Sequence, residues 1–167
     1  IYLLAQYNSY NTAANAAELA TGETASDVKA VLKATCTGTI GDEEVTATGS
    51  EYVTKLTDRA ISYYAEVERR FTEMNGVLDD AATAEAADTA DSLWSTNGDL
   101  YTANGISKTS LQTYLLNAQK AKALLNMTYG PDGTTPVAED EYTDFVNNDC
   151  YYIEVVQFPL VDYSTYS

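Results

Sequence analysis

One long amphipathic segment, Thr48 to Gly76, constrains the fold of this chain more than any other feature. Apolar side chains recur along it in steps of three and four, which place one stripe on a helix. The members of this stripe are Val53, Leu56, Ala60, Tyr63, Val67, Phe71 and Met74. A helix with so broad an apolar face must be covered by more than one neighbour. The segment therefore predicts the central helix of a helical domain.

Both ends of this helix carry recognisable signals. Thr48 and Glu51 have the spacing of a capping box, in which each side chain satisfies a backbone N–H at the start of the helix. Asn75 and Gly76 tolerate the left-handed backbone that often follows the last helical turn. The pattern thus predicts where the helix begins and ends.

The segments before the central helix predict a helical arm and a loop. Residues 1–20 have helical spacing in an Ala-rich background, and residues 24–34 predict a short helix with Ser26 as its N-cap. Residues 35–49 are rich in Thr, Gly and acids. They predict a loop, with a small hairpin around Gly41–Asp42 as the alternative.

The helix after the central one is predicted to begin behind Asp79 and to end at Asn97–Gly98, which leaves Tyr101 in the following connection. Its stripe consists of small residues that end in a large aromatic one, namely Ala82, Ala86, Ala90, Leu93 and Trp94. Small residues let helix axes approach closely. This pattern predicts an antiparallel hairpin with the central helix.

Two more helices and a strand follow in the prediction. Ser107 caps the first, Ile106 and Leu111 form a hydrophobic staple at its start, and Gly130–Pro131 stops it. Its predicted inward face is Leu111, Leu115, Ala118, Lys122 and Leu125. The second helix covers residues 138–147, with Tyr142, Phe145 and Val146 expected inward. Residues 151–158 (YYIEVVQF) predict a strand that needs a partner.

At 167 residues the chain is long enough for one domain with a real core and short for two. We expect a single domain over residues 1–167, with a helical arm at 1–34, a loop at 35–49 and a helical core at 50–148. The strand at 150–160 leads out of it. The chain begins with Ile1 and has no signal peptide or membrane-spanning run, so we expect a fragment or a chain whose leader has been removed.

The net charge narrows the choice of partners. Nine Lys and Arg face 25 Asp and Glu, which gives a net charge of −16. A phosphate backbone or an anionic membrane would be repelled by such a chain, so nucleic acid is excluded as an expected partner. The acidic clusters lack the spacing of a calcium loop and are interpreted as solvated loops and helix starts.

The catalytic inventory is small, because the chain contains no His. A Ser-His-Asp triad, a Cys-His dyad and an imidazole metal site therefore cannot be built. Phosphate-binding glycine motifs do not follow any predicted strand. The sequence thus predicts no catalytic residue, no metal site and no cofactor.

The two cysteines, Cys36 and Cys150, leave two interpretations open. They could form one disulfide in an exported protein, or they could be two unrelated thiols. Two cysteines do not make a disulfide framework, so unrelated thiols are the favoured interpretation.

Aromatic side chains are the remaining candidates for function. Fourteen Tyr, three Phe and one Trp combine apolar bodies with polar tips, which suits the binding of varied peptides. The candidate peptide-binding residues are Tyr64, Phe71, Trp94, Tyr101 and Tyr114. Against this stands the plain alternative that Tyr63, Phe71, Trp94 and Tyr114 are core residues. Tyr64, Tyr101 and the tyrosines near the C-terminus are the better candidates for exposed contacts.

Four stretches together resemble the N-terminal chaperone-type domain of foldases of the PrsA/SurA type from Gram-positive bacteria. They are ISYYAEVERRFTEM (61–74), DSLWSTNGDLYTANGISKTSLQTYL (91–115), LLNMTYGPDGTTPVAEDEYTDFV (124–146) and YYIEVVQFPL (151–160). The resemblance covers roughly residues 45–160. It implies a mostly α fold, like the SurA N-terminal and trigger-factor C-terminal domains, with a short C-terminal β-strand.

The resemblance also implies a location and a function. Such domains work outside the cytoplasm, on the surface of Gram-positive cells, and bind unfolded or newly exported polypeptides without catalysis. A lipid anchor would then lie upstream of this sequence. The resemblance leaves the oligomeric state and the identity of the clients open.

Two alternative functions remain. In such families a parvulin-type peptidyl-prolyl isomerase domain commonly follows the closing strand, so this chain could be part of an isomerase. Residues 156–160 (VQFPL) depart from that pattern, because isomerase-bearing relatives begin a His-containing strand there. The other alternative is a surface lipoprotein whose helical domain serves assembly or adhesion.

Overall fold

Six helices and one two-stranded antiparallel sheet make up the described part of the chain. The structure is a computed structural model, and it describes residues 1–21, 27–153 and 155. The helices are α1 (Tyr2–Thr21), α2 (Val28–Lys33), α3 (Gly49–Glu73), α4 (Asp80–Ala103), α5 (Lys108–Tyr129) and α6 (Glu139–Asp149). The strands are β1 (Thr35–Ile40) and β2 (Glu43–Thr48). The prediction of a mostly helical chain is confirmed.

The central helix α3 begins and ends as its sequence predicts. The Thr48 hydroxyl accepts from the Glu51 N–H at 3.4 Å, and a Glu51 carboxylate oxygen accepts from the Thr48 N–H at 3.2 Å. At the other end Asn75 takes the left-handed conformation, with φ of 52°. Both signals act through backbone groups that a helix end leaves without an intrahelical partner.

The first core cluster joins α1, α2, β1 and the start of α3. Its buried members are Ala13, Ala17, Val31, Cys36, Tyr52 and Val53. Gly49 lies directly against the backbone of Val31, so any side chain at position 49 would collide with α2. This close approach explains why α3 starts with a glycine.

Residues 35–48 form a hairpin, so the predicted loop is wrong and the alternative at Gly41–Asp42 is confirmed. Gly41 has φ of 71°, which suits the first position of a two-residue hairpin loop. Alternate side chains of β1 and β2 turn toward α1 and α3, with Cys36 opposite Ala47 and Gly38 opposite Val45. The signal was a period of two in a Thr-rich stretch, where β-branched Thr favours strands.

The second core cluster joins helix α4 to the first turns of α1 and to the beginning of α5. Its buried members are Leu4, Ala90, Tyr101, Ile106 and Leu111. Ile106 and Leu111 lie in the same cluster, as a hydrophobic staple requires, and the Ser107 hydroxyl accepts from the Ser110 N–H at 3.1 Å. Because α1 contributes to both clusters, it connects the two halves of the core.

Helix α4 runs past its predicted end at Asn97–Gly98 and stops at Asn104–Gly105, where Gly105 has φ of 71°. The extra turns carry Tyr101 into the second core cluster. A glycine inside a helix costs about 1 kcal/mol, whereas burying a large apolar side chain gains about 1.5–3 kcal/mol. The burial of Tyr101 therefore outweighs the cost of Gly98.

The predicted hairpin of the central helix with α4 is wrong. Among the described residues, α4 packs along α5, and α5 in turn packs against α3. Helix α1 is the other main neighbour of α3. The small residues Ala86 and Ala90 are buried as predicted, but α5 is the helix they allow to come close.

The predicted inward faces of α3 and α5 are confirmed in part, with Val53, Val67, Phe71 and Leu111 buried, whereas other predicted members are exposed. Tyr63 is 61% exposed and Leu125 is 63% exposed, and Ala118 and Lys122 are exposed as well. The buried faces instead include Thr57 on α3 and Asn117 on α5. Helix α6 starts at Glu139, close to the predicted 138, but has no buried residue, so Tyr142, Phe145 and Val146 point outward.

Two smaller predictions also differ from the structure. Asp27, rather than Ser26, caps α2 by accepting from the Ala30 N–H at 2.7 Å. Residues 151–153 and 155 are not in a strand and are exposed, and the rest of the predicted strand lies outside the described residues. The two strands of the hairpin pair with each other, so the described part of the chain holds no third strand to pair with this segment.

The cysteines are two unrelated thiols and not a disulfide. Cys36 is fully buried, and its Sγ lies 3.4 Å from the carbonyl oxygen of Ala13. Burial raises the pKa of the Cys36 thiol. Cys150 is exposed at the end of α6.

We expect one thiol to react with an aromatic disulfide reagent in the native chain and two in denaturant. The thiolate is the reactive form of cysteine. Because Cys36 is buried and the pKa of its thiol is raised, only Cys150 should react before the chain unfolds. A Cys150→Ser variant is the control and should show no native thiol. Rapid modification of Cys36 in the native variant would contradict the structure. So would a denatured chain in which no thiol reacts.

Candidate functional site

A polar contact joins the middle of α3 to the middle of α5. The Asn117 side-chain amide donates to a Glu68 carboxylate oxygen at 2.9 Å and to the Tyr64 carbonyl oxygen at 3.1 Å. The Lys120 ammonium donates to the other Glu68 oxygen at 2.6 Å and lies 5.7 Å from the centre of the Phe71 ring. Asn117 is 3% exposed, so these hydrogen bonds satisfy an amide that would otherwise be costly to bury.

The electrostatics of this contact follow from its geometry. Partial burial acts to raise the pKa of Glu68, but the hydrogen bonds from Asn117 and Lys120 outweigh it and the pKa is lowered. Burial, followed by the negative charge of Glu68, raises the pKa of Tyr64. Glu68 is therefore a stable anion that fixes α5 on α3. Of the predicted peptide-binding residues, Phe71 is buried beside Lys120, whereas Tyr64 enters this contact through its backbone carbonyl oxygen and keeps a partly exposed side chain.

Trp94, Tyr101 and Tyr114 belong to the second core cluster. The Tyr101 ring packs edge-on against Tyr7, with ring centres 5.9 Å apart, and nearly parallel to Trp94 at 6.1 Å. Tyr101 is buried, and Trp94 and Tyr114 are partly buried against the same cluster. The structure thus brings together three of the predicted site residues, but as core packing.

An apolar groove of about 1150 Å³ lies elsewhere, between the start of α4, the end of α5 and the segment that leads into α6. The apolar side chains that line it include Val77, Leu125, Met127, Tyr129, Val137 and Tyr142. Most of these are open to solvent: Val77 is 87% exposed and Tyr142 is 64% exposed. Apolar side chains that stay open to solvent around one groove can mark a binding site.

None of the five predicted site residues lines this groove. The sequence contained a signal for it, because the apolar stripe assigned to α5 includes Lys122 between Ala118 and Leu125. A lysine is seldom fully buried, so this half of the stripe was a candidate for an exposed face. Val77 and Val137 lie outside the helices, where periodicity gives no information.

Neither a cluster of metal ligands nor a membrane-spanning helix is present within the described ranges. No group of three or more His, Cys, Asp or Glu residues there could hold a metal ion. No helix in that part of the chain is long and apolar enough to cross a membrane. The arrangement at the groove can bind an apolar ligand through contact and burial.

Comparison of the chain with protein-family models, with curated proteins and with solved structures gives no match. The resemblance to foldases of the PrsA/SurA type, and the location and partners that it implies, therefore stay predictions.

We expect acid to remove the contribution of Glu68 to stability. Its pKa is lower in the folded chain than the usual 4.5, so this contribution is complete above about pH 4.5 and is lost as the pH falls through the folded-state value. Glu68→Gln should lower the free energy of unfolding by about 1 kcal/mol at pH 7. The difference from the parent chain should shrink below pH 4.5. Urea unfolding at a series of pH values measures it.

Glu44→Gln is the matched control, because Glu44 lies exposed on β2. It should change the unfolding free energy by less than about 0.5 kcal/mol at neutral pH. A Glu68→Gln variant as stable as the parent chain at pH 7 would contradict the role assigned to this contact.

Proposed function

We propose that this chain is an extracytoplasmic chaperone domain that binds unfolded or newly exported polypeptides without catalysis. The observation that supports this proposal is the open apolar groove between α4, α5 and α6. Its wall includes two tyrosines, Tyr129 and Tyr142, whose rings offer apolar area and whose hydroxyls can bond to a peptide backbone. The lipid anchor upstream and the surface of a Gram-positive cell belong to the same proposal.

The open shape of the groove favours a polypeptide over a small molecule. Pockets for small molecules usually have about 300–1,000 Å³ and enclose most of the ligand. The volume of this groove is close to the upper end of that range, but its apolar side chains stay largely exposed. A segment of polypeptide can lie along such a surface and bury it without being enclosed.

The mixed origin of the groove wall suits clients of varied sequence. One side is formed by two helices that are fixed by their packing on each other. The other side comes from the connection after Gly130 and from α6, which has no buried residue. Low burial lets a segment adjust its position at small cost, which favours binding of different apolar side chains.

The proposal predicts that the chain suppresses aggregation of an unfolded test protein, and that Leu125→Ser weakens this effect. Leu125 is 63% exposed in the groove, so its loss removes apolar contact with the client but little of the fold. A loss of about 1.5 kcal/mol of burial corresponds to roughly tenfold weaker client binding. Light scattering of a diluted, denatured test protein measures the effect.

Leu100→Ser is the matched control, since Leu100 is 48% exposed on α4 and does not line the groove. It should suppress aggregation as well as the parent chain. Thermal unfolding should place both variants close to the parent, because both side chains are exposed. No suppression by the parent chain, or equal loss in both variants, would contradict the proposal.

A further inference from the structure

We infer that the groove selects apolar segments flanked by Lys or Arg. The inference rests on the proposed function and names the class of client that the groove accepts. It comes from the charged side chains around the apolar wall, most of which are negative.

Three carboxylates and one ammonium line the groove. Asp79 and Glu85 stand on the α4 side, Glu139 on the α6 side, and Lys122 on α5. Asp79 also caps α4, where its Oδ1 accepts from the Ala82 N–H at 2.7 Å. A single hydrogen bond leaves its negative charge in place. The wall itself therefore carries an excess of negative charge.

The residues next to the groove are also negatively charged. Asp80, Asp140 and Glu141 are exposed in the first turns of α4 and α6, next to the groove. The positive ends of these two helices oppose them, with about half an elementary charge each. One ammonium and two such ends do not balance six carboxylates. A client approaching the groove meets a negative rim around an apolar floor.

A second copy of this chain is the poorer occupant. Each copy has a net charge of −16, so two copies repel each other as they approach. An acidic client meets the same repulsion, whereas Lys or Arg beside an apolar segment can reach the rim with long flexible side chains. Charge complementarity thus points to a basic, apolar polypeptide segment.

The test compares two fluorescent peptides that have the same apolar centre and carry either Lys or Glu at both ends. The Lys-flanked peptide should bind more tightly, by about fivefold or more in low salt, as measured by fluorescence anisotropy. The difference should shrink as salt is added, since about 0.1 M salt screens charges beyond 10 Å.

Variants of the lining charges test the location. The double variant that combines Glu85→Gln and Glu139→Gln should bind the Lys-flanked peptide about threefold more weakly. Lys122→Gln should bind this peptide more tightly. Glu43→Gln is the control for net charge, because Glu43 lies exposed on β2, at the far end of α3 from the groove. It should leave binding unchanged.

The outcomes separate this inference from the proposed function. Equal binding of both peptides, tighter binding of the Glu-flanked peptide, or equal effects of Glu43→Gln and the lining variants would overturn the inference alone. Failure of both peptides to bind would overturn the proposed function with it. Self-association that Leu125→Ser abolishes, seen by sedimentation, would assign the groove to a second copy and overturn the inference.

Discussion

The structure depends on how α5 divides its contacts between two helices. Its first turns pack with α4 around Leu111, and its middle is fixed on α3 through Glu68, Asn117 and Lys120. Packing against α3 and α4 covers only part of the surface of α5. Beyond Lys120 the end of α5 turns apolar side chains such as Leu125 toward solvent. The open apolar groove is a consequence of this division.

The same division separates the aromatic residues into two roles. Tyr7, Trp94 and Tyr101 pack on each other where α1 meets α4, and they hold the fold together. Tyr129 and Tyr142 line the groove with much of their surface open. The proposed binding function therefore uses the loosely packed end of the molecule. The proposed preference for basic clients rests on the acidic rim, in which Asp79 also stabilises the fold by capping α4.

The sequence predicted most of the helices, because capping residues and turn glycines act locally. The capping box of α3, Asn75 and Ser107 are all used as their spacing suggests. It missed the contact of Glu68 with Asn117, because these side chains meet through hydrogen bonds and carry no apolar signal. The predicted stripes hold for Val67, Phe71 and Leu111 but not for Tyr63 and Leu125. Tyr101 is buried because α4 continues past the predicted end at Gly98.

The most direct test of the account is methyl NMR of the chain during titration with a Lys-flanked apolar peptide. The account predicts that signals of Val77, Leu125 and Val137 shift, since their side chains line the groove. Signals of Leu4 and Val31, which are buried in the two core clusters, should stay in place. Shifts confined to the hairpin around Ile40, or no shifts at saturating peptide, would contradict it.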